Sequence, residues 1–329
     1  MKHELIPLSS PELWKEALQD IPHAFGHTWE NCYAMHLSTE LPTYLYQFKH
    51  GDAKVICPIS ERSFMGKIDI VTPYGFSGFT GNNNIYEFPL YWKKFAQERG
   101  YVCGYIGLNP LLIHSSYIDS ESIYKHNILY FINLQYSVVE LYKKLSNNRK
   151  RQLKNFHTIH DSITTDKTIL IDFFLSNYHD FFAQRKASMI YNFSFETLSY
   201  LAGLDNVIAI GVFQNEQVEA VSLFAYTDYV AEYLFNVSLP QGQKYTVPLI
   251  WHAIHQLKAL NIPFLNLGGG VSENDSIAQF KERFGAEKLD LTALKQVYNP
   301  ADYEMLCKKS LQNVEYKSGY FPAYRSPLS

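Results

Sequence analysis

Hydrophobic and polar positions follow two periods along the chain, and the period changes at glycine and proline. Ser10-Pro11 followed by E-L-W-K-E-A-L predicts a capped first helix, with proline in its first turn and acids close behind. Thr28 predicts the cap of a second helix that begins at Trp29. Tyr44–Phe48, Ala53–Ile59 and Lys67–Val71 read as strands, with Gly51-Asp52 turning between the first two. A glycine-rich loop, T-P-Y-G-F-S-G-F-T-G, follows at 72–81. Tyr86–Arg99 then reads as helix and Tyr101–Ile106 as strand.

The same order recurs in the second half. Phe173–Ala187 is a helical stretch with aromatic spacing, and Asn206–Phe213 and Val218–Tyr226 are strands joined by Q-N-E-Q. Tyr229–Val237 is a further strand, Pro248–Leu260 a helix and Phe264–Leu267 a strand that ends at Gly268-Gly269-Gly270. Phe88–Gly107 and Val247–Gly268 align directly. Pro89 falls on Pro248, Trp92 on Trp251 and, with two extra residues in the later helix, Gly107 on Gly268. A duplicated helix–strand unit is the reading, with the division near Leu145–Arg149. The expected domains are therefore 1–145 and 146–329, the second carrying the active site and the last helix packing back on the first.

Length supports two cores, because 329 residues exceed the usual size of one. The 25 Tyr and 22 Phe are more than cores alone need, so some are expected to line a groove. A formal net charge of -3 argues against a protein that coats DNA. The densest positive run is Lys143, Lys144, Arg149, Lys150, Arg151 and Lys154. It reads either as a solvated helix face or as a contact for an anion such as CoA, a tRNA acceptor stem or a lipid-linked diphosphate. Cys32, Cys57, Cys103 and Cys307 are scattered, which fits a reducing compartment and no zinc ribbon. No apolar run has signal-peptide or membrane-spanning length, so the cytoplasm is the expected location, with peripheral membrane contact left open. Oligomeric state is not set by the sequence.

The sharpest local signal is L-N-L-G-G-G-V-S-E-N-D-S-I-A-Q-F-K-E-R-F-G at Leu265–Gly285. A glycine triplet at a strand end lets backbone approach a ligand and expose N–H donors. A lysine one turn into the next helix puts a cation over that opening. His157-x-x-His160 and His252-x-x-His255 lack the carboxylate of a metal motif, so no metal is expected. No G-x-S-x-G elbow and no cysteine in a nucleophile context occurs.

The strand, the glycine triplet and Phe280-Lys281-Glu282-Arg283-Phe284-Gly285 resemble the C-terminal signature of the Fem-like transferases and related GNAT-fold proteins. Thr72–Gly78 resembles the family's first-half P-Y-G-x-x-G loop. Leu145–Asn155 resembles the basic helix that opens its second half, and Phe182–Ala187 the helix that carries an arginine. The resemblance implies an α/β (α+β) fold of two tandem GNAT-like domains, each a mostly antiparallel sheet flanked by helices, with substrates in a groove between or beside the halves. It implies transfer of an activated acyl or aminoacyl group to an amine of a cell-envelope glycan or peptidoglycan precursor. The alternative is a non-catalytic binding protein for such a precursor or for a partner enzyme.

By that resemblance Lys281 faces the charge of the acyl donor or of the developing oxyanion. Arg185 contacts an acidic acceptor, small or lipid-linked, since guanidinium suits phosphate. Tyr74, Gly75, Gly78, Gly268, Gly269, Gly270 and Phe280 line the substrate. Glu232, in Y-V-A-E-Y-L-F-N, is the first choice of general base, with Glu273 and Asp275 as alternatives; Asp275 is also placed to cap the following helix. The position of a CoA pyrophosphate loop is taken by Ser238–Pro248, where Gln241, Gly242, Lys244 and Tyr245 stand in place of a clean glycine motif. Acyl-CoA or aminoacyl-tRNA is the expected co-substrate, with nothing bound permanently. The charged helical arm of many tRNA users is absent from the sequence.

Overall fold

The computed structural model describes residues 1–154, 156–270, 275–314 and 319–326. Its strands are β1 (Lys2–Pro7), β2 (Thr43–His50), β3 (Ala53–Phe64), β4 (Lys67–Val71), β5 (Thr80–Gly81), β6 (Tyr101–Gly107) and β7 (Ile123–Asn133). They continue with β8 (Ile163–Thr164), β9 (Val207–Gln214), β10 (Gln217–Tyr226), β11 (Ala231–Ser238), β12 (Phe264–Gly269) and β13 (Glu287–Val297). The helices are α1 (Pro11–Leu18), α2 (Trp29–Thr39), α3 (Phe88–Glu98), α4 (Val138–Lys144), α5 (Asn147–Leu153) and α6 (Phe156–His160). After them come α7 (Lys167–Gln184), α8 (Phe195–Gly203), α9 (Thr246–Ala259), α10 (Ser276–Glu282) and α11 (Pro300–Lys309).

Two compact units emerge, one of Met1–Asn127 with Asp290–Ser329 and one of Ile128–Leu289. The sequence reading divides the chain at 145/146; packing divides it within β7 and again within β13. Both units are mixed α/β with mostly antiparallel sheets, and each contains one parallel pair bridged by a helix: β4 and β6 across α3, β11 and β12 across α9. That recurring β–α–β element is the aligned repeat, and its matched tryptophans, Trp92 and Trp251, both sit in cores.

In the first unit the sheet order is β1-β2-β3-β4-β6-β13. Strand β1 was not expected from its charged start, K-H-E, yet it pairs with β2 along its whole length, from Lys2↔Lys49 to Pro7↔Tyr44. Strand β13 alternates polar and apolar residues only in its first half; its second half, buried on both faces, pairs with β6 from Ala293↔Gly107 to Val297↔Cys103. Helix α11 then lays Tyr303, Leu306 and Cys307 against Val102 and Cys103 of β6.

In the second unit the strand order is β7-β12-β11-β10-β9-β8. Ile210 and Val212 of β9 face a core shared with α4, α5, α9 and α10. Gly211 between them points the other way, and a Cβ there would lie 2.2 Å from Leu170 of α7. Alternation thus sorts the two helical layers. Helix α7 starts at Lys167, a turn and more before the aromatic stretch read as its beginning, because the Asp166 side chain caps Thr168 N. Among the described residues no helix is long and apolar enough to cross a membrane.

One buried ionic cluster closes the first unit. Asp69, 1% exposed, accepts from Arg62 Nε at 2.7 Å, Arg325 Nε at 2.7 Å and Tyr324 OH at 2.9 Å. Removing the carboxylate leaves two half-buried guanidinium groups uncompensated, which typically costs about 3–5 kcal/mol. Asp69→Ala is therefore expected to lower unfolding free energy by about that much, read from urea midpoints at unchanged m-value; a loss under about 1 kcal/mol would show the cluster to be dispensable.

Candidate functional site

In the second unit β11 and β12 pair in parallel through Ala231↔Leu265 and Glu232↔Asn266. A register shift at Leu223/Phe224 opposes Tyr233 and Phe235 to adjacent residues of β10, leaving Leu234 as a bulge on β11. Ala231, Leu265 and Leu267 belong to the core under α9, and Tyr233 packs against it. Glu232 and Asn266, one residue out of phase, therefore share the opposite face, where α7 packs on β11 through Phe174, Tyr178 and Phe235. Both side chains are buried.

The strand end is where the glycines act. Gly268 has φ +76 and its N–H donates to Asn266 Oδ1 at 2.7 Å, with a register shift against β7 at the same point. A left-handed residue there favours glycine. The next carbonyl, that of Gly269, accepts from Lys281 Nζ at 2.6 Å. Lys281 is only 8% exposed. Its pKa falls from 10.5 to about 8 because burial disfavours the ammonium, partly offset by Asp275. Asp275 itself caps α10, accepting from Ala278 N at 2.7 Å. Glu273 lies outside the described residues.

Helix α10 is fixed from behind by a residue read only as part of a basic run. Arg149 of α5 is buried, stacks over Phe280 and Phe284 at 4.3 and 4.9 Å, and donates to Phe280 O at 3.1 Å. Desolvation, with Arg283 nearby, lowers its pKa to about 10. Gly285, at φ +71, lets the chain pass Lys144, whose Cβ would be 2.6 Å from a side chain there. Phe280 thus presents its ring to Arg149, while Lys281 beside it reaches the glycine turn. Of the remaining run, Lys144 pairs with Glu287 at 3.3 Å and covers the Tyr136 ring.

Pro240–Tyr245 is a 3-10 helix leading straight into α9. Its Gly242 is packed shut, since a Cβ would fall 2.0 Å from Glu219 O, and Gly242 N already donates to Leu239 O. Tyr245 donates to Gln214 Oε1 at 2.8 Å; Gln241 and Lys244 are exposed, with the Lys244 ammonium 4.7 Å over the Tyr245 ring. The Gly242 N–H is therefore not open to a pyrophosphate. Arg185, after α7, lies flat on Phe181 at 3.4 Å. Beside it a cavity of about 250 Å³ is lined by His179, Phe182, Ser188, Met189, Tyr191 and Asn192; of these six, Phe182 falls in the Phe182–Ala187 stretch marked in the sequence.

In the first unit the glycines of Thr72–Gly78 accommodate the protein's own backbone. Asn31 Nδ2 donates to Tyr74 O at 3.0 Å, a Cβ on Gly75 would lie 3.2 Å from Gly26 Cα, and one on Gly78 would lie 2.5 Å from Gly107 O. The rings of His160 and His252 are 5.9 Å apart and His255 packs on Trp251; the His157 side chain lies outside the described residues. Among those described, no group of three or more metal-ligating side chains gathers.

No family model and no curated protein matches the sequence. Solved structures match the fold. It is similar to that of FemX. The TM-score is 0.67 at 8% identity, over 93% of this chain and 99% of that one. A conserved protein of unknown function from Bacteroides thetaiotaomicron VPI-5482 gives 0.59 at 9% identity, over 90% and 99%. L-PGS from Bacillus licheniformis gives 0.56 at 13%, over 88% and 92%. At identities this low the matches show a fold shared with FemX and L-PGS, and substrate and residue roles are left to chemistry.

Burial of Lys281 has a measurable signature. Its folded pKa, about 8, lies below the unfolded 10.5, so the unfolded chain binds the extra proton between those values. The fold is penalised below pH 8 and relieved as pH rises towards 10.5. Lys281→Met is expected to be more stable than the parent at pH 7 by on the order of 1–3 kcal/mol, with the gap closing by pH 10. Denaturant titrations at the two pH values test this; a gap that does not change with pH would contradict it.

Proposed function

We propose that the second unit transfers an activated acyl or aminoacyl group to an amine, the acceptor being a cell-envelope glycan or peptidoglycan precursor. The observation that carries this reading is the Lys281 ammonium, buried and bonded to the carbonyl of a glycine turn at the end of two parting strands. A buried cation so placed is unfavourable for stability and valuable for holding negative charge. The folds of FemX and L-PGS support the same class of chemistry.

In the proposed reaction the acceptor nitrogen attacks the acyl carbonyl and Glu232 takes its proton. A C–N bond forms, the carbonyl oxygen becomes an oxyanion facing Lys281, and the C–O or C–S bond to the donor breaks as the leaving group regains a proton. Glu232 lies on the α7 face, while Lys281 comes from a helix in the opposite layer, which suits attack from one side and charge stabilisation from the other. Phe280 sets the helix, and Gly268 to Gly270 line the donor carbonyl. Arg185 and the cavity beside it would meet an anionic or lipid-linked acceptor. The closed loop with Gln241, Gly242, Lys244 and Tyr245 favours an ester donor such as aminoacyl-tRNA over acyl-CoA. The same closure is the observation behind a second reading, in which the protein binds a glycan precursor without turnover.

Pairing acyl-CoAs and aminoacyl-tRNAs with UDP-amino sugars and lipid-linked precursors, with product mass as readout, tests the proposal. Transfer with any pair sinks the binding-only reading. Ligand-induced melting shifts with no transfer from any pair would sink the transferase. Lys281→Ala should lower turnover on the order of 100-fold or more with the fold intact, and full activity in that variant would remove Lys281 from the chemistry.

A further inference from the structure

Asn266 is a polar residue where the strand offers no obvious reason for one. Its neighbours Leu265 and Leu267 both enter the core, and Asn266 is 1% exposed. Its Nδ2 is buried and has no hydrogen-bond partner among the described residues. An unmet donor of this kind typically costs about 1–3 kcal/mol, so a leucine or valine would serve the strand better. What asparagine supplies is its other end. Oδ1 accepts the Gly268 N–H at 2.7 Å, at the point where the register against β7 slips and Gly268 turns to φ +76. The carbonyl that follows is the one bonded to Lys281.

We infer that Asn266 is the positioning residue of the Lys281 centre: its side-chain carbonyl fixes the Gly268 turn, and that turn aims the Gly269 carbonyl that holds the ammonium. The inference deepens the transferase reading of this site, but rests on geometry that exists with or without turnover. Its parts lie on separate elements, β12 and α10, so the link runs through one backbone turn. Asn266 touches no substrate in this role. It acts through the direction of a peptide group.

Lys281 can be read without a substrate. Trace acetylation with acetic anhydride across a pH series, quantified by mass spectrometry on the peptide carrying Lys281, gives the midpoint at which its amine becomes nucleophilic. The parent should titrate near pH 8, the value its burial imposes. In Asn266→Leu the turn loses its tether, the ammonium escapes to solvent, and the midpoint should rise by about one pH unit or more towards that of an ordinary lysine. Gly268→Ala, which strains the same turn directly, should give a similar shift. The double variant should add little to either, because both act on one link. Should Asn266→Leu fail to fold, Asn266→Ser, too short to span to Gly268 N, takes its place. A folded Asn266 variant whose midpoint stays near 8 overturns the inference, and so do shifts that add in the double variant. Either result leaves the transfer assay free to succeed, so the two proposals fail separately.

Discussion

An ammonium held in the interior on a backbone carbonyl is a demanding arrangement, and much of the second unit is organised around it. Lys281 can meet Gly269 O only if α10 sits at one depth and the glycine turn faces one way. The depth is set by Arg149, whose guanidinium bonds Phe280 O and lies against two rings of the same helix. The direction is set by Asn266 and Gly268. Gly285 then lets the chain turn away past Lys144. Each device is local, yet all four converge on one nitrogen, and a small error in any would cost the ammonium its buried acceptor.

The two units show what duplication keeps and what it lets drift. Both retain a parallel strand pair bridged by a helix with a buried tryptophan. In the first unit the glycine loop is filled by the protein's own chain, so its close approaches are internal. In the second, the glycine turn that ends β12, the counterpart of the β6 end at Gly107, accepts the lysine. Glycines of the same kind therefore serve packing in one unit and frame a candidate centre in the other, and only the neighbouring side chains tell them apart.

How far the sequence could be read follows from the span of each contact. The glycine triplet and Lys281 lie within one short stretch, so their meeting was legible as a motif, and Asp275 was legible as a cap. Glu232 could be placed on its strand because apolar residues flank it. Arg149 looked like one cation among six, since its partner Phe280 is 131 positions away and no local pattern announces the stack. Asn266 was hidden in plain view between leucines: strand periodicity marks which face it takes, not which N–H it holds. Helix α7 was recognised but begun late, because capping by Asp166 outweighs the hydrophobic onset. Strand β1 was missed because its charges mask a pairing that is carried by backbone bonds.

The return of the chain to its first unit sets an order of assembly. Asp290–Ser329 supplies β13, which pairs with β6, and Gln296 Oε1, which receives the Trp92 indole N–H. It also brings Tyr303, Leu306, Cys307 and Tyr324 against Val102 and Cys103. A ribosome delivers these residues after the whole of Ile128–Leu289. Domains usually complete in the order in which they are made. Here the N-terminal sheet must wait, with Cys103 uncovered and the Trp92 indole N–H without Gln296, while the unit encoded after it is made.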